Sequence, residues 1–139
     1  MRLWDYRLLP YLPKSQLLSQ KRECDLIWKD YKAGKQTNHI LINYIHEYSI
    51  DNLLVYYYLL EFEFTKRQFK FKDNAPSLPF KLIAPFEKHH NDEYLMICFM
   101  NLLEKYKRNQ RDFDKETFNK LYNYCDKILN LKNFGVNNA

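Results

Sequence analysis

Two glycines in 139 residues, Gly34 and Gly135, leave this chain few positions where the backbone can turn left-handed without strain. Tight β-hairpins depend on such positions. A fold built from many short strands is therefore argued against, and a glycine-rich loop that cradles a phosphate is ruled out. The expected fold class is all-α, a compact single-domain bundle of about four to five helices over residues 1–139, with an N-terminal arm packed on helix one. Hydrophobic residues make up 46% of the chain and charged ones 28%, a balance with which a domain of this length closes one core unaided.

Residues 1–12 read as an irregular arm rich in Trp, Tyr and Leu, interrupted by Pro10 and followed by Pro13. Leu17, Leu18, Cys24, Ile27, Trp28 and Tyr31 recur at helical spacing. Helix one is expected near 14–33, with Pro13 in its first turn, Ser15 as its cap and Gly34 as a left-handed stop. His39–Tyr48 suits a short helix. A longer one, capped by Ser49 or Asp51, is expected to reach about Phe71. Its centre, Leu53 to Phe64, is apolar on nearly every face, which marks the most buried helix. Val55-Tyr56-Tyr57-Tyr58 also has strand propensity, but length and the charged continuation Glu61, Glu63, Lys66, Arg67 favour helix. The tyrosines then read as core packing rather than a platform for bases. Pro76, Pro79 and Pro85 mark 72–90 as an ordered loop. Asn91 or His90 caps a helix running to about Lys107, and a last helix runs from Asp114 to near Leu131. Residues 132–139 read as a frayed tail. Leu54, Tyr58, Phe62, Leu95 and Phe99 are expected in the core.

The net charge of +5 is unevenly spread, with eight basic against four acidic side chains in residues 1–35. A basic first quarter suits a polyanion such as nucleic acid, although a solvated lysine-rich surface has the same composition. Cys24, Cys98 and Cys125 are far apart, so no pair has metal-ligand spacing and buried thiols are expected rather than disulfides. His89-His90 with Asp92 and Glu93 invites a metal reading, but adjacent histidines before a helix seldom share one ion, and capping accounts for the segment better. Metal and cofactor are both expected to be none. The first twenty residues lack the apolar stretch of a signal peptide, and no run nears the ~18 apolar residues of a membrane span. A cytoplasmic, monomeric protein without membrane attachment is the expectation.

Leu12-Pro13-Lys14-Ser15-Gln16-Leu17-Leu18-Ser19-Gln20-Lys21-Arg22-Glu23 combines a leucine-rich helix start with an Arg-Glu pair at a set distance from the N-terminus. This string resembles the first helix of the pyrimidine-dimer DNA glycosylases, the phage endonuclease V type. Met1-Arg2-Leu3-Trp4 looks like the start found in a bacterial branch of that family. Glu61 to Phe69, with Lys66-Arg67, is similar to its central helix, and His90-Asn91-Asp92-Glu93-Tyr94-Leu95 to the start of a later one. The likeness is good over 1–24, fair over 53–70 and 89–105, and ends near residue 108.

The resemblance implies a DNA repair glycosylase with abasic-site lyase activity, acting on damaged double-stranded DNA. In that family the terminal amine attacks C1′ of the damaged nucleotide, an imine forms, and β-elimination cuts the strand. Arg2 follows the initiator, a context in which Met1 is normally retained, so the implied catalytic residues are Met1 and Glu23. An α-amine titrates near ~7.7–8.0 and a lysine near ~10.4, so at neutral pH the terminal amine is by far the better nucleophile. Glu23 is implied to stabilise the cationic sugar and shuttle protons. The implied DNA-binding residues are Arg2, Gln16, Lys21, Arg22 and His90, with Gln16 in a slot held by histidine in the phage helix. The aromatic C-terminal segment of the phage enzymes has no counterpart here. Taken alone, Glu23 and Arg22 also fit an ordinary solvated helix face. The alternative function is a non-catalytic helical module that binds nucleic acid or protein on the same scaffold.

Overall fold

A computed structural model describes residues 2–138. A 3-10 helix at Tyr6–Tyr11 leads into α1 (Lys14–Lys32), and a second at Asn43–Glu47 leads into α2 (Ile50–Lys66). Then follow α3 (Asp92–Lys107), α4 (Lys115–Leu129) and a closing 3-10 helix at Leu131–Phe134. The fold is all-α: more than half of the chain is helical, and no strand occurs among the described residues.

Helices α3 and α4 start on short polar caps, Asn91 accepting the Tyr94 amide and Asp114 the Thr117 amide. Helix α1 starts differently. Pro13 stands at its cap position with no oxygen to offer, and Ser15 does not cap it. Asp112, from the link between α3 and α4, accepts the Ser15 amide at 2.6 Å. A carboxylate distant in sequence thus meets the positive end of the α1 dipole, which local pattern alone could not reveal.

Three helix ends share one hydrogen-bond pattern, in which the third residue past the helix bonds back across the last turn. Lys35 N–H donates to Asp30 O, Phe69 N–H to Phe64 O, and Gln110 N–H to Lys105 O. The pattern needs a left-handed residue, supplied by Gly34 (φ +71°), Gln68 (φ +61°) and Asn109 (φ +60°). A chain short of glycine therefore carries strain at Gln68, an exposed side chain in a conformation that costs about 1 kcal/mol relative to glycine. Gln68→Gly is expected to raise stability by about 0.5–1 kcal/mol, the gain being limited by glycine's freer unfolded chain. Urea denaturation reads it, and a loss of stability would show that the Gln68 side chain holds the turn.

The turn at Gln68 also ends α2 at Lys66, short of Phe71. Phe69 and Phe71 extend the apolar pattern, yet they fold back on the helix. Both rings pack edge-on against Phe64, and Phe71 also meets Tyr57. Tyr58 (44% exposed) and Phe62 (57% exposed) are not core residues, because only one side of α2 faces the bundle. Tyr58 meets Phe80 of the long loop instead. Leu54, Leu95 and Phe99 are buried as expected, as are all three cysteines, which are free thiols.

The core joins Leu8, Leu9, Leu17, Trp28, Tyr56, Leu60, Phe86, Phe99, Phe118 and Leu121 across every helix. The first 3-10 helix packs on α2 and α4, and α3 pairs with α4. The arm is bound to α3 as well. Tyr94 donates its hydroxyl to Leu3 O, and Arg7 bridges the buried Asp5 at 3.0 Å and Asp92 at 2.8 Å. Beyond α4, Leu131 is buried and Tyr122 donates to Val136 O.

Candidate active site

Residues 2–4 lie along α1, and Gln20 makes the most bonds to them. Gln20, 1% exposed, accepts the Trp4 amide at 2.7 Å through Oε1. Its Nε2 donates to Arg2 O at 2.9 Å and to Glu23 Oε2 at 3.0 Å. The buried Tyr56 hydroxyl lies 2.8 Å from Gln20 Oε1 and 2.7 Å from Trp4 O. One amide side chain therefore ties arm, α1 and α2 together and steadies the Glu23 carboxylate one helical turn on.

Glu23 Oε2 also accepts the Arg2 amide at 3.4 Å. The carboxylate is half-buried, and burial pushes its pKa above the usual carboxylate value, against the opposing pull of the Arg2 N–H. A carboxyl group whose pKa is raised is better able to take and return a proton. It opens into a cleft of about 310 Å³ lined by Arg2, Trp4, Gln16, Ser19, Gln20, Glu23, Leu41, Asn101 and Lys105. Gln16, Ser19, Gln20 and Glu23 recur at three- and four-residue spacing, so one polar strip of α1 forms the near wall. Asn101 and Lys105, four apart on α3, stand opposite.

The structure brings together Arg2, Gln16 and Glu23 of the residues singled out from sequence. Arg22 is exposed next to this strip and donates to Ser19 Oγ at 2.8 Å. Met1 lies outside the described residues. Lys21 and His90 lie elsewhere. Lys21 points to the other side of α1, pairs with Asp25 at 2.6 Å and sits over the Phe71 and Tyr57 rings. His90 is 4% exposed within a cluster of Tyr6, Tyr44, Tyr56, Phe86 and Tyr94. Both of its ring nitrogens are engaged by protein, which leaves none for a phosphate. Gln20, Asn101 and Lys105 went unnoticed as site residues from sequence. The i−3 spacing of Gln20 from Glu23 was a usable signal, whereas the α3 pair depends on tertiary packing.

The His90 environment has a measurable consequence. Nδ1 accepts the Tyr6 amide at 3.2 Å, so the ring proton resides on Nε2 and faces Tyr44 Oη at 2.7 Å. Protonating Nδ1 would set two N–H groups against each other. Burial, with the charges of His89 and Arg7, lowers the His90 pKa to about 3. Between about 6.5 and 3 the unfolded chain binds a proton that the folded one refuses, so stability falls as pH drops through this window. From pH 7 to pH 4 this one residue is expected to cost about 3 kcal/mol. His90→Gln should flatten the pH dependence of the urea midpoint, and an unchanged slope would assign the acid sensitivity to carboxylates.

Among the described residues, no group of His, Cys, Asp and Glu side chains is placed to hold a metal ion, and no helix is long and apolar enough to cross a membrane. A family model described as pyrimidine dimer DNA glycosylase matches residues 1–77, more than half of the chain. No curated protein and no solved structure matches.

Proposed function

The chain belongs to the pyrimidine dimer DNA glycosylase family, and from that premise we propose that it excises damaged bases from duplex DNA and cleaves the resulting abasic site, with the Met1 amine as nucleophile and Glu23 as acid and base. One observation carries the proposal, the Arg2 amide nitrogen 3.4 Å from Glu23 Oε2 at the wall of the cleft. Three covalent bonds separate that nitrogen from the amine of a chain beginning at Met1, a span of at most about 4 Å. Covalent geometry alone thus supports a terminal amine within reach of the carboxylate.

The chemistry proceeds without a cofactor. The unprotonated amine forms a bond to C1′ as the C1′–base bond breaks, its electron pair leaving with the base. The amine nitrogen passes a proton to the ring oxygen O4′, and its lone pair displaces O4′ from C1′, which opens the ring and gives a protonated imine between protein and C1′. The Glu23 carboxylate offsets the positive charge and removes a proton from C2′. The electron pair released is held as an enamine and then forms the C2′–C3′ double bond as the C3′–oxygen bond breaks, its pair leaving with the phosphate and cutting the strand. Water then hydrolyses the imine and frees the amine.

Arg2 and Arg22 would hold phosphates beside the lesion, and Gln16 would contact the nucleotide lying in the cleft. Such contacts release counterions, so affinity for duplex should fall steeply with salt. Arg22→Ala is expected to lower the slope of log affinity against log salt by about one while leaving the far-UV CD spectrum unchanged. An unchanged slope would place Arg22 outside the phosphate contacts.

Incubation with a duplex carrying one abasic site, followed by borohydride, tests the chemistry. The expected product is a covalent adduct whose mass spectrum places the sugar remnant on the Met1 amine. An adduct on a lysine would move the nucleophile to a side chain, of which Lys105 is a cleft-lining example. No adduct with intact DNA binding would make this a non-catalytic binding module.

A further inference from the structure

Between α1 and α2 the chain makes a compact turn at residues 40–42. His39 builds it, since its carbonyl accepts the amides of Ile42 at 3.0 Å and Asn43 at 2.9 Å, and its Nδ1 accepts the Leu41 amide at 3.2 Å. Ile42 is fully buried and anchors the turn in the core. Ile40 and Leu41 point the other way. Ile40 is 80% exposed, more than any other large hydrophobic side chain described, and Leu41 is 43% exposed. Two adjacent aliphatic side chains are thus held in water by a turn anchored through Ile42, uncovered by any of the described residues.

Their place in the molecule is specific. Leu41 lines the same cleft as Glu23, Arg2, Asn101 and Lys105. The apolar tip therefore stands at the mouth of the cleft, with Arg2 and Lys105 lining the same opening and Arg22 on the adjoining strip. An apolar point flanked by cations matches a duplex, in which stacked apolar bases lie between two rows of phosphates. A protein partner would have no need of a carboxylate pocket behind the point of contact.

We propose that Ile40 and Leu41 form a wedge that enters the DNA base stack beside the lesion and opens the step so that the sugar can reach the cleft. This rests on the function proposed above and adds to it the residues that pry the duplex open. The damaged nucleotide cannot meet a half-buried carboxylate while it stays stacked, and unstacking a step costs a few kcal/mol. Aliphatic side chains filling the gap replace the lost base–base contact. The wedge assists the reaction by positioning substrate and takes no part in bond making or breaking.

The test pairs Ile40→Ser/Leu41→Ser with Ile40→Met/Leu41→Met in the full-length protein, both at exposed positions. The first readout is fluorescence of 2-aminopurine placed opposite an abasic site, which brightens when the base unstacks. It is measured in a Glu23→Gln background so that chemistry does not intervene. The second readout is the ratio of cleavage rates on duplex and single-stranded abasic oligonucleotides. The serine variant is expected to lose most of the fluorescence rise and to lower the duplex-to-single-strand ratio about tenfold or more. The methionine variant, apolar and of similar size, is expected to restore both. Equal fluorescence and equal ratios in the serine variant and the parent would overturn the wedge. Absence of cleavage by the parent on either substrate would overturn the enzymatic reading instead, and the fluorescence would still decide whether the turn opens DNA.

Discussion

Glu23→Gln is expected to lower strand cleavage of abasic duplex by about 10²–10⁴-fold while changing its affinity by no more than about threefold. The two side chains have the same shape, and the amide oxygen of the variant can still accept from Arg2 N–H and Gln20 Nε2. The positions of the arm and of the cleft walls are then preserved. What is lost is the ability to take a proton from C2′ and the charge that offsets the imine. Because burial already disfavours ionised Glu23, a neutral amide there should leave the melting temperature equal or higher. That combination of intact fold, intact binding and absent cleavage separates a catalytic carboxylate from a structural one. The acid limb of the parent's pH–rate profile should lie above the usual carboxylate range, in keeping with the raised Glu23 pKa. Cleavage within threefold of the parent would sink the assignment.

Gln20→Leu is expected to cost about 3 kcal/mol of stability and to reduce cleavage as well. The substitution keeps volume roughly constant and removes all four hydrogen-bonding roles of a fully buried amide. The Trp4 amide and the Arg2 carbonyl lose their partners, and each buried polar group left unpaired costs about 1–3 kcal/mol. Tyr56 keeps the Trp4 carbonyl, which holds the loss below the full sum. Gln20→Glu is the informative companion, since it sets a second carboxylate 3 Å from the first. Like charges so close cannot both ionise, so the acid limb should move to higher pH than in the parent. A Gln20→Leu protein as stable as the parent would mean that the arm is held by its contacts with α2, α3 and α4 without this amide.

Periodicity and caps made the four α-helices legible, because Asn91, Asp114 and Gly34 act locally at helix ends. The end of α2 was not legible, since Phe69 and Phe71 continue the apolar rhythm whether the backbone goes on as helix or folds back. Exposure of Tyr58 and Phe62 was hidden for a related reason. A helix apolar on every face does not reveal which face has a neighbour. Of the residues lining the cleft, Arg2, Gln16 and Glu23 are ones that a family likeness in the sequence singles out. Lys21 and His90 have residue types suited to phosphate, but an ion pair to Asp25 and an aromatic cage absorb them. Asn101 and Lys105 enter the cleft only because α3 packs where it does.

The arm's bonds to residues 90–98 also order events during synthesis. Leu3, Asp5, Tyr6 and Arg7 find their partners in Tyr94, Cys98, His90 and Asp92. Residues of the arm are therefore held by residues made later. At roughly 5–20 residues per second, the arm waits on the order of 5–20 s before α3 emerges to receive it. Until then Arg2 and Glu23 belong to a partial chain without a far wall to the cleft. Nascent or prematurely terminated chains that end before α3 would thus carry the family's matched segment without the far wall of the cleft.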